Sequence, residues 1–382
     1  MKSICFVTTV AMTIEAFLLD FSKYLINNED YEVTFICNNS ESIAKYCSDR
    51  IRYIPIRMKR GFNLDALRVI RELMGIFKRE RFDIVQYSTP NASLYASIAA
   101  KRAGIKNRLY CQWGIRYMGF DGGIKRAFFK WIEKRVCANS TTIESESVSL
   151  FNFGIAEGLY SGEKASVIGA GSACGVDLTK YDLEKKEAYR REIRGKHNIP
   201  QEAFVFGFTG RLTKDKGINE LIGAFKQIPF KENTFLLLVG IFDDEETLDP
   251  MLIQWAKEDE HVIFTGQVNQ VEQYYCALDV FVSLSYREGF GLVVIEAASM
   301  GVPAIVTDVP GQRDTIIPGE TGILVPVKNL NKVSEACNYC LENPGALNKM
   351  GLAARLNVEK NYEQLRLFTK LAKHRNDMIA AY

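Results

Sequence analysis

Short runs of β-branched and aromatic residues alternate with helix-length segments along most of the chain, and this alternation constrains the fold more than any other feature of the sequence. In the first half, Ile4–Val7 precedes a helix near Ala16–Leu25 and is followed by Val33–Ile36. Ile84–Tyr87 then precedes a helix over Ala92–Arg102, and Arg108–Cys111 and Thr141–Ile143 complete the series. Such alternation is the signature of β-α-β units around a parallel sheet. A second series follows a charge-dense stretch from Lys180 to Lys196. It runs through strands at 205–209, 235–239, 262–265, 280–283 and 304–307, with helices at 218–226, 250–257, 271–277, near 292–300 and around 332–341.

Two doubly wound, Rossmann-like domains are therefore expected. The first domain is placed at 1–185, the second at 186–361, and a last helix at 362–382 is placed back on the first domain. Doubly wound sheets bind ligands beyond the carboxyl ends of their strands, so two such sheets facing each other make a cleft where function is to be sought.

With 382 residues, 47% hydrophobic and 25% charged, the chain has apolar material for two ordinary domains. A net charge of +2 makes no case for nucleic acid as a partner of the whole protein. Met1–Val7 shows no signal-peptide pattern, and no apolar run approaches the roughly 20 residues of a spanning helix. A cytoplasmic location is expected. Nine scattered cysteines fit reduced thiols, and the Cys337-x-x-Cys340 pair sits at helical spacing, which favours half-buried helix cysteines over a redox or metal site.

Two segments carry chemistry. The strand ending at Thr209 runs into Gly210-Arg211-Leu212-Thr213-Lys214-Asp215-Lys216-Gly217, directly before a helix. Gly210 allows close backbone approach, while Arg211 and Lys216 bring cations to a strand's carboxyl end, a phosphate-binding arrangement in outline. A solvated loop is the plain alternative, and the spacing is not that of a Walker loop. The second segment, Tyr286-Arg287-Glu288-Gly289-Phe290-Gly291-Leu292, again follows a strand and opens a helix that contains Glu296. Its exposed amides and partial positive charge suit a diphosphate. Glu288 and Glu296 can border one ligand, one carboxylate on sugar hydroxyls and the other on a ribose. A glutamate within Val293–Ala298 is costly to bury unpaired, which argues for a role at Glu296.

These residues resemble the family 4 glycosyltransferases, retaining enzymes of the GT-B fold. The resemblance rests on Gly210-Arg211 with Lys216-Gly217, on Glu288 and Glu296 with seven residues between them, and on Gly301-Val302-Pro303-Ala304 leading to Pro310-Gly311. It implies an α/β GT-B architecture and a retaining, hexosyltransferase-type reaction with a nucleotide-diphosphate sugar, UDP-sugar by default. Arg211, Lys216 and the backbone of Gly289, Phe290, Gly291 and Leu292 would bind the donor diphosphate, with Arg211, Lys216 and Glu288 catalytic. Glu288 would meet the sugar, Glu296 the ribose, and backbone groups near Gly266, Gln267 and Val268 the base.

Residues 110–135 and 169–178 are similar to a branch that builds bacterial surface polysaccharides. This implies a glycan or lipid-linked glycan acceptor, with Thr13, Gly114 and Arg116 on the acceptor side. Many relatives carry a first-domain histidine near the reacting sugar. Here the matching stretch reads Cys111-Gln112-Trp113-Gly114, and His197, His261 and His374 lie elsewhere. No Asp-x-Asp occurs, and Asp243-Asp244-Glu245-Glu246 reads as a solvated turn, so neither a metal nor another cofactor is expected.

From Lys101 to Val136 ten bases face two acids, a net +8 that would attract an anionic membrane or a lipid diphosphate. Within this segment Ile124, Ala127, Phe128, Trp131 and Ile132 form one helical face. That is the pattern of an interfacial helix and equally of a helix packed on a sheet; packing is the expectation. Competing classes are a sugar-nucleotide epimerase or hydrolase, for which no carboxylate–histidine constellation is evident, and a non-catalytic sugar-nucleotide sensor. A dinucleotide-dependent oxidoreductase lacks its Gly-x-Gly-x-x-Gly, since the first strand leads into Thr8–Thr13.

Overall fold

The computed structural model describes residues 1–58, 65–120, 122–229 and 233–381. Asp121, one of the two acids of the basic segment, and Tyr382 lie outside them. Runs such as Thr234–Val239, buried along their whole length, can be covered on both faces only in a parallel sheet flanked by helices. Two such sheets form. The first contains β1 (Lys2–Val7), β2 (Tyr31–Cys37), β3 (Ile51–Pro55), β4 (Ile84–Tyr87), β5 (Asn107–Gln112), β6 (Thr142–Ser145) and β7 (Ala165–Ser166), in the order β3-β2-β1-β4-β5-β6-β7. The second contains β8 (Phe204–Thr209), β9 (Thr234–Val239), β10 (Val262–Gly266), β11 (Val280–Ser283), β12 (Ala304–Thr307) and β13 (Gly322–Val325), in the order β10-β9-β8-β11-β12-β13. Every pairing between these strands is parallel.

Two compact units result. One comprises Met1–Cys174 with Leu365–Tyr382, the other Gly175–Gln364. The division falls at 174/175, not at 185/186, because the two passages of the chain between the units are joined to each other: Val176 N–H donates to the Tyr362 carbonyl at 2.8 Å, and Gln364 N–H to that of Val176 at 3.0 Å. The charge-dense stretch from Lys180 to Lys196 contains regular structure of its own. Lys186–Lys196 is a helix whose Arg194 is fully buried. Its guanidinium donates to the carbonyls of Gln201 and Ala203, both at 2.7 Å, to that of Ala277 at 2.9 Å and to Asp279 at 2.9 Å. A buried charge is tolerated only when its donors are satisfied in this way.

The helix Gly123–Asn139 corrects a second expectation. It turns Ile132, Val136 and Cys137 inward, and of the face expected to pack only Ile132 is buried; Ile124, Ala127, Phe128 and Trp131 are exposed. Cys337 and Cys340 are buried in the helix Leu330–Glu342, and all nine cysteines are free thiols. Burial pushes the Cys340 thiol up to about 12.

The last helix, Gln364–Ala380, returns to the first unit. It buries Leu367, Phe368, Leu371, Ala372, Arg375 and Met378, a stripe at helical spacing. Phe368 meets Phe21 with ring centroids 5.3 Å apart, and Asn376 accepts from Lys2 at 2.8 Å and from the Tyr31 hydroxyl at 2.9 Å. The strongest tie is ionic. Arg375 is buried and grips Glu144 of β6 with two nitrogens at 2.5 and 3.1 Å, while a third contact runs to Gln86 of β4 at 3.1 Å.

Burial would raise the Glu144 carboxyl, but Arg375 and the neighbouring His374 outweigh it and hold it at about 2. A depressed carboxyl stabilises the fold above its unfolded value and loses that contribution as pH falls toward the folded one. Replacing Arg375 by methionine leaves Glu144 buried without its partner and is expected to cost about 3–5 kcal/mol at neutral pH. Scanning calorimetry should show a large drop in melting temperature at pH 7 and a gap from the unmodified protein that narrows as pH falls from about 4.5 toward about 2, where Glu144 takes up its proton in the unfolded chain while Arg375 still holds it ionised in the folded protein.

Candidate active site

In the second sheet the strand order reverses between β8 and β11. Loops leaving the carboxyl ends of two such strands depart to opposite faces of the sheet and leave a crevice between them. The loops here are 210–217 and 284–291, and they carry the two segments singled out by sequence, 210–217 and 286–292. They are stitched together at several points. Tyr286 N–H donates to the Asp215 carbonyl at 2.9 Å, Arg287 pairs with the Asp215 carboxylate at 3.2 Å, and Lys216 pairs with Glu288. Gly217 adopts φ +72°, and a Cβ there would lie 2.3 Å from the Leu284 carbonyl oxygen, so the second loop sits where only glycine permits it.

Lys216 and Glu288 form the centre of this cluster. Both side chains are mostly covered, 25% and 17% exposed, and Ser285 Oγ donates to the same Glu288 oxygen at 2.8 Å. Burial would raise the Asp215 carboxyl, yet the Thr213 hydroxyl, then Arg287, Lys216 and Arg211, more than offset it and hold the group below its ordinary value. Arg211 is more open, 59% exposed, and meets Asp243 at 2.5 Å. Asp243 follows β9 in the acidic run read from sequence as a solvated turn; it is partly exposed, and pairs with Arg211.

The helix Leu292–Ser299 starts at Gly291, which has φ +99°, and no side chain caps it. A helix N-terminus that follows a strand's carboxyl end offers amides to an anion there. Phe290 is buried, its ring 5.4 Å from that of Tyr362, so only its backbone belongs to the site. Behind the loop, Gly311 (φ +90°) presses on the main chain: a Cβ there would lie 2.5 Å from the Gly289 oxygen and 2.7 Å from that of Glu288. Buried Gln312 donates to the Ser283 carbonyl at 2.5 Å and accepts from Thr307 at 3.1 Å, and Thr307 donates to the Ser285 carbonyl at 2.5 Å. Sequence reasoning missed Gln312 and Thr307, which carry no pattern of their own.

Residues 189–357 match the profile of the family described as Glycosyl transferases group 1, and residues 3–147 that described as Glycosyl transferase 4-like. The chain is a family 4 glycosyltransferase. It is 29% identical to the capsular polysaccharide biosynthesis glycosyltransferase CapM of Staphylococcus aureus, over 93% of this chain and 92% of that one. With the UDP-Gal:alpha-D-GlcNAc-diphosphoundecaprenol alpha-1,3-galactosyltransferase of Escherichia coli it shares 23% over 93% and 91%. Among solved structures, sucrose-phosphate synthase of Thermosynechococcus elongatus superposes with a TM-score of 0.82 at 19% identity over the full length of both chains. Anabaena HepE in complex with UDP-glucose gives 0.81 at 18% identity, over 99% of this chain and 100% of the other. The fold is GT-B.

In this glycosyltransferase Glu296 is not the unpaired carboxylate that its apolar neighbours suggest. Tyr275 donates to it at 2.9 Å and Tyr181 hydrogen-bonds it as well; burial, the larger effect, still leaves its carboxyl above the ordinary value. Gly266 ends β10 with φ +70°, its carbonyl accepting from Gly240 N–H at 3.0 Å, and half-buried Val268 and exposed Gln267 follow it.

The acceptor-side candidates belong to the first unit. Half-buried Thr13 lies in the helix Ala11–Phe17 after β1, Gly114 (φ +116°) follows β5, and exposed Arg116 stacks over the Phe129 ring at 4.3 Å. In the stretch matching the relatives' histidine, Gln112 is fully buried; it donates to Glu133 at 2.7 Å and accepts from Tyr160 at 2.9 Å. Among the described residues no group of three or more His, Cys, Asp or Glu side chains is placed to hold a metal ion.

Gly311 supplies a test of this architecture. Gly311→Ala forces both a positive φ on alanine and a clash with two carbonyls, and is expected to cost about 1–3 kcal/mol. Thermal unfolding should show the loss, and a crystal structure of the variant should show the 288–291 backbone displaced.

Proposed function

We propose that the enzyme transfers a hexose, with retention, from a nucleoside diphosphate sugar to a glycan or lipid-linked glycan during assembly of a capsule, O-antigen or exopolysaccharide. The donor assigned is a UDP-sugar, and the reaction is placed in the cytoplasm. The observation that carries this reading is the Lys216–Glu288 pair, held at the strand-order reversal beside an uncapped helix N-terminus. The relatives support the substrate class: CapM by its role in capsular polysaccharide, the E. coli enzyme by a UDP-galactose donor and a diphosphoundecaprenol acceptor, and HepE by its complex with UDP-glucose.

In this mechanism Lys216, Arg211 and the amides of Gly289–Leu292 neutralise the leaving diphosphate, so that no metal is needed. The sugar C1–O bond breaks, its electron pair leaving on the diphosphate. The acceptor oxygen forms the new bond on the same face, and the departing phosphate oxygen takes the acceptor's proton. Glu288 orients the sugar and is held in turn by Ser285 and Lys216. Glu296 binds the ribose, and the backbone of Gly266–Val268 the base.

At an effective dielectric near 20, a cation ~4 Å from a phosphate charge is worth about 4 kcal/mol. For half-buried Lys216 that corresponds to about a thousandfold in rate, whereas solvent screening reduces the share of exposed Arg211. Calorimetric titration with UDP and GDP, without metal and then with magnesium, is expected to show metal-independent binding of UDP that Lys216→Ala abolishes. Turnover with an acceptor present should fall about a thousandfold in that variant and by a smaller factor in Arg211→Ala. Near-normal turnover in both variants would sink the assignment, and binding without turnover would make the protein a sugar-nucleotide sensor.

A further inference from the structure

The helix Gly123–Asn139 has two apolar faces, and only one of them is used. Ile132, Val136 and Cys137 are buried in the first unit's core. On the opposite side Ile124 is 90% exposed, Trp131 57% and Phe128 44%, with the Phe128 and Trp131 rings stacked at 6.4 Å. A helix packed on the sheet of a globular domain normally turns polar residues to water. Here the outward residues at successive turns are Ile124, Ala127, Phe128, Trp131, Lys134 and Arg135, all exposed.

Charge is distributed just as unevenly. Of the acids, Glu133 is buried beneath the helix, where it accepts from Tyr110 at 2.8 Å, and Glu157 lies at the margin, neutralising Arg126 at 3.2 Å and Lys130 at 2.6 Å. Among the described residues of the helix no carboxylate stands on the outward face, and Lys134 and Arg135 make no ion pair with a described residue.

We infer that this face is a docking surface for an anionic lipid membrane. Exposed aliphatic and aromatic side chains flanked by lysine and arginine match what an in-plane interfacial helix requires: the apolar stripe enters the headgroup–acyl boundary, tryptophan sits at headgroup level, and the cations meet lipid phosphates. A water-soluble partner protein would have to answer the cations with carboxylates, whereas an anionic lipid surface answers the cations and the apolar stripe together. No described helix is long and apolar enough to cross a membrane, so the contact is peripheral.

The face is also continuous with the acceptor side of the enzyme. Phe128 meets Phe129 edge to face at 5.6 Å, and Phe129 carries the Arg116 guanidinium at 4.3 Å. A docked first unit would therefore hold Arg116 at the level of lipid headgroups. This narrows the acceptor to one presented from the membrane surface. That last step rests on the glycosyltransferase reading; the docking itself does not.

The test is co-sedimentation of the full chain with vesicles of phosphatidylcholine alone and of a phosphatidylcholine–phosphatidylglycerol mixture, at low and high salt, with UDP titration of the same preparations. Anionic vesicles are expected to bind at least roughly tenfold more protein than neutral ones, with salt weakening the binding. The double variants Ile124→Ser/Trp131→Ser and Lys134→Glu/Arg135→Glu should each lose about tenfold or more. UDP binding should stay unchanged, so that a failure of docking is separable from a failure of the donor site. Absence of binding to anionic vesicles, or binding unaffected by either double variant, would overturn the inference. So would a dimer in sedimentation equilibrium that Ile124→Ser/Trp131→Ser converts to monomer without any vesicle binding, since the face would then join two copies of the chain.

Discussion

Parallel strands can be joined only by crossovers that pack back against the sheet, nearly always with one hand, and the rest of this structure follows from that constraint. Each sheet grows outward in both directions from a central pair, so each contains one place where neighbouring strands send their following loops to opposite faces. In the second sheet that pair is β8 and β11. Their ladder spans only Phe206–Gly207 against Val280–Phe281, whereas β8 pairs with β9 along all of Phe204–Thr209. With so short a ladder, the loops leaving the two strands must be held by contacts of their own. The glycines at 217 and 311, the Tyr286–Asp215 hydrogen bond and the Lys216–Glu288 pair do this.

The same constraint explains what could be read from sequence. Strands covered on both faces must be apolar throughout, and β9 (Thr-Phe-Leu-Leu-Leu-Val) can hardly be mistaken for a half-exposed strand. Loops at the sheet's carboxyl edge must bend sharply and meet a ligand, so glycine and charge cluster there, as at Gly210–Gly217 and Glu288–Gly291. Less legible were residues whose meaning depends on partners distant in sequence. Lys186–Lys196 shows in sequence only as part of a charge-dense stretch. Arg194 acquires its role from carbonyls at Gln201, Ala203 and Ala277. Gln312 and Thr307 are single buried polar residues that hold the main chain of a loop, and neither has a periodicity or a motif.

The basic helix shows a different limit. Periodicity gives the angle between two faces but not which of them meets the sheet. In Gly123–Asn139 both faces carry apolar residues, so the two orientations were indistinguishable by pattern. Glu133 settles the choice physically. Its carboxyl, pushed up by burial, is held by the Tyr110 hydroxyl and the Gln112 amide, and these partners exist only beneath the helix at the end of β5. Turning that face inward leaves Ile124, Phe128 and Trp131 outside. The buried side-chain amide of Gln112 is itself engaged by Glu133 and Tyr160.

On the proposed reading, the Lys216–Glu288 pair sets the terms on which a diphosphate binds. A half-buried lysine without a partner would pay a desolvation cost or lose its proton, and a half-buried glutamate likewise; paired, each neutralises the other and fixes its neighbour's loop. On that reading a diphosphate would meet Lys216 and the helix amides, and Ser285 would keep Glu288 partnered. The donor's sugar would add hydroxyl donors for Glu288 that the product, having lost that sugar, does not bring, so the arrangement would favour the complete donor over the product.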